Sequence, residues 1–176
     1  YMFKEHNNPI EEDHGLESPI GENAYDWFLS KKTIPALTDA LPAELPFWNE
    51  VLEHPDYDDY WKERSLEQHL KDINPAILVV GGAYDTDDCY GALNTYKLIR
   101  ENSPSTDLHF VYGPWSHGGW HEKDYAGLGQ IDSWGGLSEH FMENIEFPFF
   151  SYYLEGKGKK PEPVYAYSSG SDSWQT

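Results

Sequence analysis

The feature that most restricts the fold is the run "PAILVVGG", Pro75 to Gly82. A strand with one wet face alternates apolar and polar residues; this run does not. It is rich in Val and Ile, and it stops at two glycines. Such a run is expected of a strand buried on both faces, as in a parallel sheet. "DDCYGALNTYKLIRENS" follows. Ala92, Leu93, Tyr96 and Ile99 give it one apolar helical face, and Asp87 or Asp88 can cap its start. After the loop "SPSTD" comes a second short apolar run, "LHFVYG". Strand, helix and strand make a βαβ unit with a right-handed crossover, so the fold class is α/β. Both strands end in glycine-bearing turns, and open α/β sheets gather their chemistry at those carboxyl ends.

The flanking segments read differently. Residues 1–24 are polar and loop-like. Residues 25–72 read as short helices separated by Pro35, Pro42, Pro46 and Pro55, with the first helix ending before Pro35. Such a region suits a cap or lid better than an independent core. After His117 the chain is loop-like to about Gly136. "LSEHFMENIEFPFFSYYLEG" then reads as a helix disturbed at Pro148. "GKGKKPEP" reads as a linker, and "VYAYSSGSDSWQT" opens with strand-like alternation.

Composition narrows the function. Twelve basic against 31 acidic residues give a formal net charge of −19. A chain this acidic repels phosphate backbones, so no nucleic-acid partner is expected. No apolar stretch approaches a membrane span, so no membrane partner is expected either. The single cysteine, Cys89, excludes an internal disulfide.

Two residues stand where chemistry is expected. Asp85 lies in the turn after the first strand, in "GGAYDTDD"; His117 lies in the turn after the second, in "GPWSHGG". Either alone can be an ordinary turn residue. Placed together at one sheet edge, a carboxylate can accept from one imidazole nitrogen while the other takes a proton from a nucleophile. Acid before histidine is the chain order of α/β-hydrolases, whose serine comes first.

"PAILVVGGAYDTDDCYGALNTYKLI" followed by "LHFVYGPWSHGGW" resembles the CocE/NonD serine hydrolases. That family includes cocaine esterase, the α-amino-acid ester hydrolases, the glutaryl cephalosporin acylases and relatives of X-Pro dipeptidyl-peptidase. "HPDYDDYWKERSLEQHL" resembles the end of their helical cap, and "EFPFFSYYLEGKG" the helix before their C-terminal jelly roll. The resemblance implies that Asp85 is the triad acid and His117 the triad base. It also implies that Asp87 and Asp88 help bind a substrate ammonium group, although Asp87 stands where a glutamate is usual. A desolvated cation needs more than one negative partner. Helix capping is the plainer reading of the same two residues.

The nucleophile is not visible. No serine has glycine at both flanking second positions, and Ser116 adjoins His117. Cys89 falls inside the expected helix and reads as small-residue packing. Tyr84, Trp115 and Trp120 flank the site and can line an acyl pocket or join the core; Tyr84 is carried forward as a substrate-binding candidate. His117 and His121 are four apart, with Glu122 beside them and His140 further on, but Gly118 and Gly119 oppose the regular helix a zinc site of that spacing needs. No metal or organic cofactor is expected.

The expected organisation is therefore part of a helical cap over 1–72, the C-terminal part of an α/β-hydrolase catalytic domain over 73–156, and over 157–176 a linker with the first strand of a jelly roll. The chain starts at Tyr1 in mid-protein style, and the serine is expected upstream. The expected reaction is acyl transfer from an ester or amide of an α-amino acid or short peptide. The piece alone is expected to be inactive. The resemblance favours a periplasmic or secreted setting, and uncovered sheet edge favours self-association into a homo-oligomer. The competing reading is a non-catalytic binding or structural fragment on the same fold.

Overall fold

A computed structural model describes residues 24–40, 46–122, 127–128, 131–132 and 136–176. The expectation of loop over residues 1–24 lies almost wholly outside these. The chain divides into two units, residues 1–64 and 65–176.

The first unit holds α1 (Ala24–Lys31), α2 (Ile34–Thr38), α3 (Pro46–Glu53) and α4 (Asp59–Arg64). α1 ends at Lys31, before Pro35 as expected, and Pro35 itself opens the next helix. It stands in the first turn of α2, where a missing N–H costs nothing, and Thr33 caps that turn through its hydroxyl. None of α2, α3 or α4 buries a residue. Their order comes from indole and imidazole contacts instead: Trp48 Nε1 donates to Thr38 Oγ1, Trp61 Nε1 to the His54 carbonyl, and His54 pairs with Asp58.

The second unit is built on a four-stranded sheet. Its strands are β1 (Ile77–Gly82), β2 (Leu108–Gly113), β5 (Val164–Ser168) and β6 (Ser173–Gln175), in the order β1-β2-β5-β6. A short antiparallel pair, β3 (Gly127–Leu128) with β4 (Ile131–Asp132), lies between β2 and β5 in the chain. β1 and β2 run parallel, from Ile77 opposite Leu108 to Gly82 opposite Gly113. They are joined by α5 (Cys89–Asn102). The βαβ unit read from the sequence is thus present. One detail differs: Ile99 is buried on α5, but Leu93, assigned to the same face, is 43% exposed.

The unit begins at Ser65. Leu70 is buried, Asn94 on α5 donates to Glu67, and the Ile73 N–H donates to Ser103 Oγ, so this segment is tied to the α5 side of the sheet.

The helix before the last strands is interrupted close to where Pro148 predicts. α6 (Leu137–Phe141) runs into a π turn over Met142–Glu146 and then into α7 (Phe147–Glu155). In a regular helix the proline ring presses on the carbonyl four residues back, and widening the preceding turn relieves that clash. α7 ends at Gly156, whose φ of 68° suits a residue without a Cβ.

Among the described residues the expected jelly roll is not seen. β5 pairs in parallel with β2 and β6 pairs antiparallel with β5, so both extend the same sheet. Nor is "GKGKKPEP" a loose tether. Lys160 pairs with Asp107, the Glu162 carbonyl accepts from His109 Nδ1 at 2.7 Å, and the Pro163 carbonyl accepts from the Phe110 N–H. Those bonds deliver β5 to the edge of β2. The core forms against this sheet from Val111, Trp115, Leu137, Phe141 and Ile145, with Trp120, Tyr167 and Trp174 packed against it.

Candidate active site

The two strand-end turns are stitched to each other before any side chain is considered. Ala83 N–H donates to the Gly113 carbonyl at 2.8 Å, and Tyr84 N–H to the Trp115 carbonyl at 3.1 Å. Glycine makes this possible. A Cβ on Gly82 would stand 2.3 Å from the Trp115 carbonyl oxygen, and one on Gly113 would stand 2.2 Å from the Trp115 ring. The indole folds back over the end of β2 and is fully buried. Trp115 is therefore a core residue, and Trp120 packs beside it with ring centroids 6.4 Å apart. Neither the acyl-pocket reading nor the core reading could be chosen from sequence; the core reading holds for Trp115.

From these turns Asp85 and His117 meet. His117 Nδ1 lies 3.1 Å from Asp85 Oδ2 and 3.3 Å from Oδ1. Asp85 is 4% exposed, whereas the His117 side chain is open to solvent. Asp85 Oδ1 also accepts from the backbone N–H groups of Asp87, at 2.8 Å, and Asp88, at 2.9 Å. Burial works to raise the Asp85 pKa. The Asp88 and Asp87 amides and His117 outweigh it and hold the carboxyl below its ordinary value. Asp85 is thus an anion that accepts only, so Nδ1 carries the hydrogen and proton exchange falls to Nε2. The hydrogen bond to Asp85 and its charge raise the His117 pKa, opposed by partial desolvation and reinforced by Asp87 and Asp88.

The imidazole is placed by its own loop. Gly118 takes φ 76°, turning the chain into a 3-10 turn over Gly119–His121. The Ser116 carbonyl accepts from the Gly119 N–H within this turn. Ser138, fully buried at the start of α6, donates to the Gly119 carbonyl at 2.8 Å. That tether joins the His117 loop to the core, and nothing in the local pattern around Ser138 announces it.

The other candidates fall as follows. Asp87 and Asp88 are exposed beside the pair, and Tyr84 is half-buried in the same turn. Asp88 occupies the cap position of α5, yet its side chain makes no capping hydrogen bond; Asp85 accepts the turn's amides instead. Cys89 is the first residue of α5, half-buried, with Sγ 3.2 Å from the Tyr112 hydroxyl. The histidines weighed for zinc serve separate neighbours: His121 pairs with Glu146, and His140 stacks on Trp174. A different trio, Asp85, Asp87 and His117, offers ligand atoms within 4.8 Å of one another. Asp85 in that trio is already engaged by two amides and an imidazole, so an ion would have to break the pairing described above.

Comparison with known proteins shows the family. The family model described as X-Pro dipeptidyl-peptidase (S15 family) matches residues 11–119, more than half of the chain and inclusive of both Asp85 and His117. A cocaine esterase from Rhodococcus sp. (strain MB1 Bresler) is 34% identical over 70 residues, which is 39% of this chain and 11% of that protein. Among solved structures, an aminopeptidase from a marine sediment archaeon, Thaumarchaeota archaeon, matches 86% of this chain with a TM-score of 0.78 and 29% identity. The chain spans 26% of that aminopeptidase's length.

Proposed function

Because the chain belongs to the X-Pro dipeptidyl-peptidase (S15) family, we propose that it is the acid–histidine part of an α/β-hydrolase catalytic domain that cleaves esters or amides through a serine acyl-enzyme. His117 takes the serine proton as the hydroxyl attacks, returns it to the leaving group, and later activates water. Asp85 holds the imidazole in the tautomer with hydrogen on Nδ1 and stabilises the imidazolium that forms. The observation that carries this reading is the 3.1 Å separation of His117 Nδ1 and the buried Asp85 Oδ2. The relatives support both leaving-group classes, one being named an esterase and the other an aminopeptidase.

The serine itself is assigned outside these 176 residues, in a longer polypeptide, since no G-x-S-x-G occurs here. The four-helix segment is read as part of a cap. Asp87 and Asp88 lie exposed on the turn that carries Asp85, and Tyr84 flanks them. They supply the negative charge that the ammonium of an α-amino ester or a peptide N-terminus needs. The favoured substrates follow from that charge. No metal or organic cofactor enters the reaction. The outer edge of β1 is unpaired among the described residues, which is the reason to expect this piece to self-associate when isolated.

The test uses the longer polypeptide on a p-nitrophenyl ester. H117Q and D85N should each lower kcat/KM by at least the roughly 10²–10⁴-fold that general acid–base catalysis supplies, while the 176-residue chain shows no turnover. Wild-type rates in H117Q, or no G-x-S-x-G upstream, would leave the non-catalytic reading standing. For the charge site, Asp87→Asn is compared on an α-amino ester and on its N-acylated analogue. Equal losses on the two would count against ammonium recognition.

A further inference from the structure

Asp88 presents a contradiction that the ammonium role does not resolve. It occupies the residue position from which an aspartate normally caps a helix, yet its side chain makes no cap hydrogen bond. Its carboxylate turns the other way: Oδ2 lies 3.7 Å from His117 Nδ1. That is the same nitrogen that faces Asp85 Oδ2 at 3.1 Å and Oδ1 at 3.3 Å.

We infer that Asp88 is a second positioning carboxylate for His117, bracketing Nδ1 together with Asp85 and so fixing the imidazole with its proton on Nδ1. The inference rests on His117 being the base, and it deepens that reading. The two carboxylates divide the work by burial. Asp85 is buried and already anchored by two amides, so it sets the direction of the bond. Asp88 is exposed, its side chain 68% accessible, so it acts as a nearby charge that solvent and salt partly screen. An imidazole rotated to put Nδ1 outward would lose both partners at once. The charged groups that face His117 are Asp85, Asp87 and Asp88, and all three act to favour the protonated ring. Asp87 and Asp88 stand on one turn, and Asp88 joins Asp85 within 4 Å of the ring nitrogen Nδ1.

The experiment is a pH titration of the His117 ring by NMR in the histidine-labelled chain, with H117Q to assign the signals. Asn caps helices as well as Asp does, so D88N keeps α5 intact, and the buried His109 signals report that the fold is retained. In D88N the His117 midpoint should fall, and the tautomer with hydrogen on Nε2 should appear above it. D88E should move both back toward wild type. E101Q removes a charge at the far end of α5, beyond the ~10 Å Debye length at 0.1 M salt, and should change neither. A D88N titration that overlays the wild type, or an E101Q shift as large as that of D88N, would overturn the inference. D85N keeps the two readings apart. A fall in D85N with none in D88N overturns this inference and leaves the Asp85–His117 pairing standing, whereas no fall in either overturns both.

Discussion

The Trp115 carbonyl oxygen occupies the space that a side chain on Gly82 would need, 2.3 Å from the position of its Cβ. That contact closes the turn after β1 onto the turn after β2, and so sets the distance between Asp85 and His117. Gly82→Ala should therefore do two things. It should cost on the order of 1–3 kcal/mol, as overpacking of a tight site does, and it should separate the pair. Urea denaturation checks the first and the His117 titration midpoint checks the second. An alanine that leaves both unchanged would show that the turns do not depend on this close approach.

Ser138 tethers the His117 loop from α6. Its hydroxyl is fully buried and donates to the Gly119 carbonyl. Ser138→Ala removes one of two donors to that carbonyl, the Glu122 N–H remaining, at a cost of about 0.5–1.5 kcal/mol. In the longer polypeptide the same change should lower kcat more than it raises KM, since it loosens the base rather than the substrate pocket. An unchanged kcat with a lowered unfolding midpoint would make the bond a stability feature alone.

His109 is buried on β2 and is satisfied twice, by the Glu162 carbonyl through Nδ1 and by the Tyr153 hydroxyl through Nε2 at 2.8 Å. The carbonyl can only accept, so Nδ1 carries a hydrogen and Nε2 faces the Tyr153 hydroxyl. Tyr153→Phe strands that nitrogen in the interior and should destabilise the chain by about 1–3 kcal/mol. The His117 titration should not move, because His109 stands at the other end of β2. Movement of both would mean that the two ends of the strand are coupled.

The pair also predicts a pH signature. His117 is raised from an ordinary 6.5, so its stabilising contribution is complete below that value and is lost as pH rises through the higher folded value. Asp85 is lowered from an ordinary 3.8, so its contribution is present above that value and is lost as pH falls through the lower folded value. The pairing stabilises most between those limits. Urea midpoints at about pH 5 and about pH 9 should differ more in wild type than in H117Q. The comparison with the variant removes the general effect of a −19 charge. Equal differences would deny the linkage.

Much of this was legible because it is local. β1 and β2 announce themselves as apolar runs, α5 by its periodicity, and Asp85 and His117 by standing just past the ends of two strands whose single crossover forces them to be neighbours. The failures are non-local. Val164–Ser168 alternates like any strand, and nothing within it says that β2 rather than a separate domain will be its partner; that depends on the tether from Asp107, His109 and Phe110. The end of α1 before Pro35 is legible, but the short α2 that Pro35 opens rests on the Thr33 cap, which spacing alone does not announce. Leu93 fits the helical face by spacing but lies at its margin, 43% exposed. Asp88 is the subtler case. Capping and imidazole contact call for the same residue in the same place, and the choice between them is made by a loop some thirty residues away.

The central claim is that Asp85 and His117 are one acid–base unit, and the titration of His117 in wild type and D85N tests it most directly. The pairing predicts a wild-type midpoint above that of an ordinary histidine, hydrogen retained on Nδ1 after deprotonation, and loss of both features in D85N. A midpoint and tautomer that are the same with and without the Asp85 charge would contradict it.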